Sequence, residues 1–126
     1  MVREVRKEEA MKFIKKAEDF YYSAFENYQR RRYDVSIFNS SQCIILANDA
    51  FCIFMLGRRA SKDHKEAIEL HVRASIGKES KKDIVKNALE KRSEFGYTES
   101  KANEKEANLL LVRSKRFLDW VKERII

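Results

Sequence analysis

A chain of 126 residues and 15.0 kDa has the length of one domain and is too short for two. Proline is absent, glycine occurs three times, and the composition is 37% charged and 44% apolar, which excludes collagen-like, linker-like and disulfide-scaffold classes and argues against disorder. The net charge of +7, from 27 Lys and Arg against 20 Asp and Glu, permits an anionic partner without demanding one, because the acids are spread among the bases. Surface scaling gives roughly 7,000 Å² exposed when folded against roughly 22,000 Å² unfolded, enough burial for one core without metal or disulfides. The longest apolar run, Cys43 to Leu56, is broken by Asn48 and Asp49, so no membrane span is expected. Residues 1–15 have no apolar signal segment, and a cytoplasmic location is the expectation.

The apolar periodicity predicts five helices and no strands. The first runs from about Val5 to Arg30, with Ala10, Phe13, Ile14, Ala17, Tyr21, Ala24 and Tyr28 recurring at steps of three and four on one face. It breaks at Arg30, Arg31 and Arg32, cations placed to meet the carbonyl end of the helix dipole. Asp34 is the expected cap of the second helix, which reaches Leu56 and is apolar nearly all round from Cys43 onward. Such a helix must be covered on several sides, and a homodimer seam through Ile45, Phe51 and Phe54 is the expected cover. Gly57 supplies its stop.

A loop over Arg58 to Lys62 leads to Asp63 and Glu66, a capping-box-like pair opening the third helix. Its expected inner face is Ala67, Ile68, His71 and Val72, and Gly77 with Lys78 to Lys82 ends it. Ser80 and Asp83 open a fourth helix that carries Ile84, Ala88 and Leu89 inward and closes at Phe95, Gly96 and Tyr97. Asn103 and Glu106 cap the fifth, with Leu110, Phe117, Leu118, Val121 and Ile125 inward. An all-α, five-helix up-and-down bundle over residues 1–126 is the predicted fold.

Cys43 and Cys52 lie nine residues apart in one helix, which is about 900° of rotation and about 13.5 Å of rise, so they cannot bridge each other. With two thiols and two histidines, no structural metal and no cofactor is expected. A Walker loop, a GxGxxG turn, HExxH and GxSxG are all absent from the sequence. Two stretches have arginine five residues before a histidine or tyrosine: Arg59 with His64, and Arg92 with Tyr97. An arginine can clamp a phosphate, and a histidine nearby can take the proton of a ribose 2′-OH, the two requirements of metal-independent RNA cleavage.

The order of these elements resembles the HEPN domain (higher eukaryotes and prokaryotes nucleotide-binding). The resembling features are the stretch from Ala17 to Ala24 in the first helix, Arg32-Tyr33-Asp34 leading into the apolar helix with Ser40 to Ala47, then His64, then Lys91-Arg92 with Tyr97, and a closing helix with Glu106, Ala107, Phe117, Leu118 and Val121. The chain is particularly similar to a branch with an Arg-x-x-Ala-Asp-Tyr-like pattern before the last helix. The resemblance implies a five-helix bundle that forms homodimers and pairs with a small nucleotidyltransferase-like protein in toxin–antitoxin or defence modules. Members that cleave RNA carry an Arg-x4-6-His motif, and the matching place here holds Arg92 and Tyr97. Tyrosine, with a pKa near 10, is a poor general base at neutral pH.

The sequence therefore predicts a helical binding module for nucleotide or RNA, with Arg92 and Tyr97 as its leading residues and Arg58, Arg59 and His64 beside them. The rivals are a metal-independent endoribonuclease using Arg92 with Tyr97 or His64, and a purely structural interaction protein.

Overall fold

The computed structural model describes residues 2–61, 63–76 and 79–125. Five helices account for most of them: α1 Val2–Gln29, α2 Tyr33–Leu56, α3 His64–Ala74, α4 Lys82–Tyr97 and α5 Glu104–Arg124. There is no strand among the described residues. The accessible surface of 7759 Å² is close to the value expected from mass alone.

The long apolar helix α2 is the axis of the bundle, with α1, α3, α4 and α5 all packed on it. Ala10, Ile14, Ala17 and Ala24 of α1 are fully or almost fully buried. Their small side chains bring the two longest helices close, and Ser36 Oγ donates 2.8 Å to the Ala24 carbonyl across the seam. By length and composition α2 also qualifies as a membrane-crossing helix, which the broken apolar run did not suggest, but most of that stretch is buried inside the bundle. Phe51 and Phe54 are 2% and 7% exposed within the single chain. Both rings are buried inside the single chain, Phe51 against His71 of α3 and Trp120 of α5, so they are core side chains and not the surface of a dimer seam. Of the three residues expected there, only Ile45 keeps partial exposure.

The helix ends follow their chemistry with two exceptions. Gly57 takes the left-handed conformation at φ 75°, and its amide closes on the Ile53 carbonyl. Asp63 accepts from the Glu66 amide at 2.9 Å, and Asn103 accepts from the Glu106 amide at 2.8 Å, both as expected of N-caps. Asp34, however, does not cap α2. The helix begins two residues earlier with Arg32 at the cap position, and Asp34 Oδ1 instead accepts from the Ala102 amide at 2.6 Å, tying the α4–α5 connector to the start of α2. Nor do Ser80 and Asp83 cap α4, which starts after Lys81 with no side-chain cap. Gly77 and Lys78, expected to end α3, and Lys62 of the preceding loop lie outside the described residues.

The inner face of α3 is Ala67, Leu70, His71 and Ala74, while Val72 is 42% exposed and points outward, against expectation. His71 is fully buried against Phe51, Phe117 and Trp120. Its Nε2 accepts from the Lys81 amide at 2.8 Å, so Nδ1 must carry the proton and donate to Asn48 Oδ1, also at 2.8 Å. Only the neutral ring can serve both partners, and burial lowers its pKa to about 4. This pair of bonds fixes the start of α4 against α2.

Candidate functional site

A recess of about 210 Å³ opens where α2, the α2–α3 loop, the start of α3 and the middle of α4 meet. From α2 it takes Ile45 and Asp49, one turn apart on the same face. Arg59, Ala60 and Ser61 come from the loop, Asp63, His64 and Ala67 from the start of α3, and Leu89 and Arg92 from α4. Three of the residues singled out in the sequence, Arg59, His64 and Arg92, thus surround one hollow although they come from three different segments.

Each side chain is held by identifiable contacts. The loop is pinned by Glu66, whose carboxylate accepts from the Ser61 amide at 2.6 Å and pairs with Arg58 at 3.3 Å. Arg59 is thereby set to reach Asp49 Oδ2 at 3.5 Å, with its guanidinium 5.0 Å from the centre of the Phe13 ring. From α4, Arg92 Nη1 donates to Gln42 Oε1 at 3.3 Å, while its Nε is buried with no hydrogen-bond partner. His64 is the exposed first residue of α3.

Asp49 is the residue that sequence reasoning missed. It is 8% exposed, and burial raises its carboxyl pKa from an ordinary 3.8 to about 6, although Arg59 and then Arg92 pull the other way. An acid inside an otherwise apolar helical stretch was the available signal, because a carboxylate is rarely buried without a cationic partner. In the sequence Asp49 reads only as an interruption of the apolar run.

Two expected site residues are not part of the recess. Tyr97 is 79% exposed at the last position of α4. Five residues of helix place it about 140° around the axis and about 7.5 Å along it from Arg92, so the two do not face one ligand together. Arg58 is engaged with Glu66 on the outside of the loop, where it holds the backbone that presents Arg59. The two cysteines are buried and free, with thiol pKa values pushed up to about 12 by burial, so neither is a nucleophile. No group of three or more His, Cys, Asp or Glu side chains is placed to hold a metal among the described residues.

Arginines from two different segments lining a small recess, with an exposed histidine among its lining residues, form an arrangement suited to an oxyanion. The family model described as HEPN domain matches residues 10–124, a span that includes every helix contributing to the recess. The chain belongs to the HEPN domain family. No curated protein matches it.

Proposed function

We propose that this HEPN module binds the phosphate of a nucleotide or of RNA in the recess between α2, α3 and α4, with weak or no catalysis. The observation that carries the reading is the convergence of Arg59, Arg92 and His64 on one hollow, with Asp49 as the internal counter-ion that a phosphate displaces. Arg92 and Arg59 supply planar guanidinium donors that match phosphate oxygens. The partner implied by the family resemblance, a minimal nucleotidyltransferase-like protein of a toxin–antitoxin or defence module, handles the same class of ligand. A homodimer rests on Ile45 alone of the three residues expected at its seam. Ile45 lies on the recess wall, so a second copy seated there brings two recesses together.

The test is fluorescence anisotropy of a short labelled single-stranded RNA in EDTA across a salt series. Binding that weakens steadily with salt is expected, and Arg92→Ala should both lower affinity and reduce the salt slope by roughly one phosphate contact. RNA affinity equal in the unmutated protein and Arg92→Ala refutes the reading.

That His64 lines the same recess as Arg92 favours a second reading, metal-independent RNA cleavage, in which Arg92 holds the phosphate and His64 moves the 2′-OH proton. Cleavage products in EDTA that vanish in both Arg92→Ala and His64→Ala select this reading. Neither binding nor cleavage selects a purely structural interaction protein.

A further inference from the structure

A second recess, sharing no lining residue with the first, lies between the start of α4 and the C-terminal half of α5. It encloses about 370 Å³ and is lined by Lys81, Ile84, Arg113, Arg116, Phe117 and Trp120. That volume falls within the range of small-ligand sites, roughly 300–1,000 Å³. Its floor is apolar, made by Ile84, Phe117 and Trp120, and its polar groups are all cationic.

These cations are poorly neutralised by the protein itself. Arg113 Nη1 donates only to the neutral Asn87 Oδ1, at 3.4 Å. Lys81 pairs with Glu79 at 3.1 Å, but the Glu79 side chain is 83% exposed, so water and salt screen that pair. Among the described residues no carboxylate pairs with Arg113 or Arg116. The start of α4 adjoins the same recess without a side-chain cap, but Asp83 stands in its first turn and offsets the partial positive charge of the helix end, so the three side-chain cations carry the argument. Three like charges around an apolar hollow repel one another, and an anion entering there relieves that repulsion.

The recess is also built in advance of any ligand. Trp120 stacks on Phe117 with centroids 5.7 Å apart and 18° between planes, and its edge packs on Phe51 at 5.0 Å. The Lys81 backbone is held by the buried His71, so the floor and the backbone that carries one of the cations are fixed by core contacts. Little ordering is left to be done when a ligand arrives.

We propose that this recess binds a nucleoside 5′-monophosphate, with the phosphate held by Lys81, Arg113 and Arg116 and the base packed on Ile84, Phe117 and Trp120. Three cations suit a dianionic monoester better than the single charge of a diester, so the phosphate is a terminal one. That chemistry occurs in a free nucleotide and at the 5′ end of an RNA strand. The proposal stands apart from the Asp49 recess and does not depend on it.

Trp120 is the only tryptophan in the chain, and it lines both this recess and a neighbouring hollow with Met55, Ile76 and Glu123, so its emission reports binding at either and the Arg116→Ala variant assigns the signal to this one. Excited at 295 nm, where AMP does not absorb, the full chain should show saturable quenching with AMP and weaker binding of adenosine and of inorganic phosphate, followed by calorimetry. Arg116→Ala, an exposed substitution outside the core, should weaken AMP binding roughly tenfold, whereas Arg92→Ala should leave it unchanged. Tighter binding of AMP than of a 5′-phosphorylated oligoribonucleotide assigns the free nucleotide, and the reverse assigns the strand end. The proposal is overturned by an absence of saturable binding, by phosphate binding as tightly as AMP, or by an Arg116→Ala affinity equal to that of the unmutated chain. A loss of AMP binding in Arg92→Ala but not in Arg116→Ala would assign the ligand to the other recess and overturn it equally.

Discussion

Asp49 is buried at 8% exposure yet faces two arginines, and the consequences for stability can be worked out. Its carboxyl titrates near 6 in the folded chain and near 3.8 when unfolded. Between those values the folded state keeps a proton that the unfolded state has lost, so stability falls as pH rises through the interval. Above pH 6 the loss is complete and amounts to about 3 kcal/mol at most. Asp49→Asn keeps the shape, removes the buried charge, and is expected to stabilise the protein by about 1–3 kcal/mol at pH 7.5. Well below pH 3.8 the carboxyl is protonated in both states, so the gap should already have shrunk to a small fraction of its full size at pH 4. His71 acts in the opposite sense. Its folded pKa of about 4 lies below the ordinary 6.5, so both proteins lose stability as pH falls from 6.5 to 4, and this common term cancels in the difference. Urea denaturation of both proteins at pH 4, 5, 6 and 7.5 measures the effect through the midpoint at fixed slope. The same substitution frees Arg59 and Arg92 from their counter-ion, so single-stranded RNA affinity should rise at pH 7.5. A variant less stable than the unmutated chain at pH 7.5, or a difference that does not change with pH, refutes the reasoning.

Four further substitutions check the packing. Phe51→Asp places an unpaired charge among Trp120, His71 and the α2 core, and helical circular dichroism should be lost at 25 °C. Ile45→Asp, at a half-buried wall position, should keep that signal, and light scattering should show a dimer in the unmutated protein and a monomer in the variant; a monomer in both removes the seam. Gly57→Ala puts a Cβ on a backbone at φ +75° and 2.8 Å from the movable Arg6 guanidinium, which should cost about 1 kcal/mol by urea denaturation. Gly96→Ala puts a Cβ 2.6 Å from Cε1 of the packed Phe38 ring, and the end of α4 must shift away from α2 at a cost of about 1–3 kcal/mol in the same assay.

The number of helices and their inner faces were legible because apolar spacing is a local property. Ala10, Ile14, Ala17 and Ala24 on α1, and Leu110, Phe117, Leu118 and Val121 on α5, are buried where the period of 3.6 placed them. Caps were legible where the side chain has no better partner, as at Asp63 and Asn103. Asp34 failed as a cap because Ala102, sixty-eight residues away, offers its amide, and no local rule contains that contact. The dimer seam through Phe51 and Phe54 failed for a related reason. How much of α2 four other helices cover depends on their packing, which periodicity does not give.

The site was half legible. Arg59 and His64 are near in sequence, but their meeting with Arg92 depends on how α4 lies across α2. Spacing and the place of the family's Arg-x4-6-His motif pair Tyr97 with Arg92, although five residues of helix already turn the two to different sides. The interruption at Asn48 and Asp49 is the more informative feature. Neighbours on a helix point about 100° apart, so these two polar groups serve different contacts. Asn48 holds His71 and, through it, the Lys81 amide at the wall of the second recess. Asp49 sets the charge of the first. Two adjacent residues in the most apolar helix therefore support both candidate sites. A buried polar group must be matched by a partner on another element, so a polar pair that interrupts an apolar helix marks where the rest of the molecule converges.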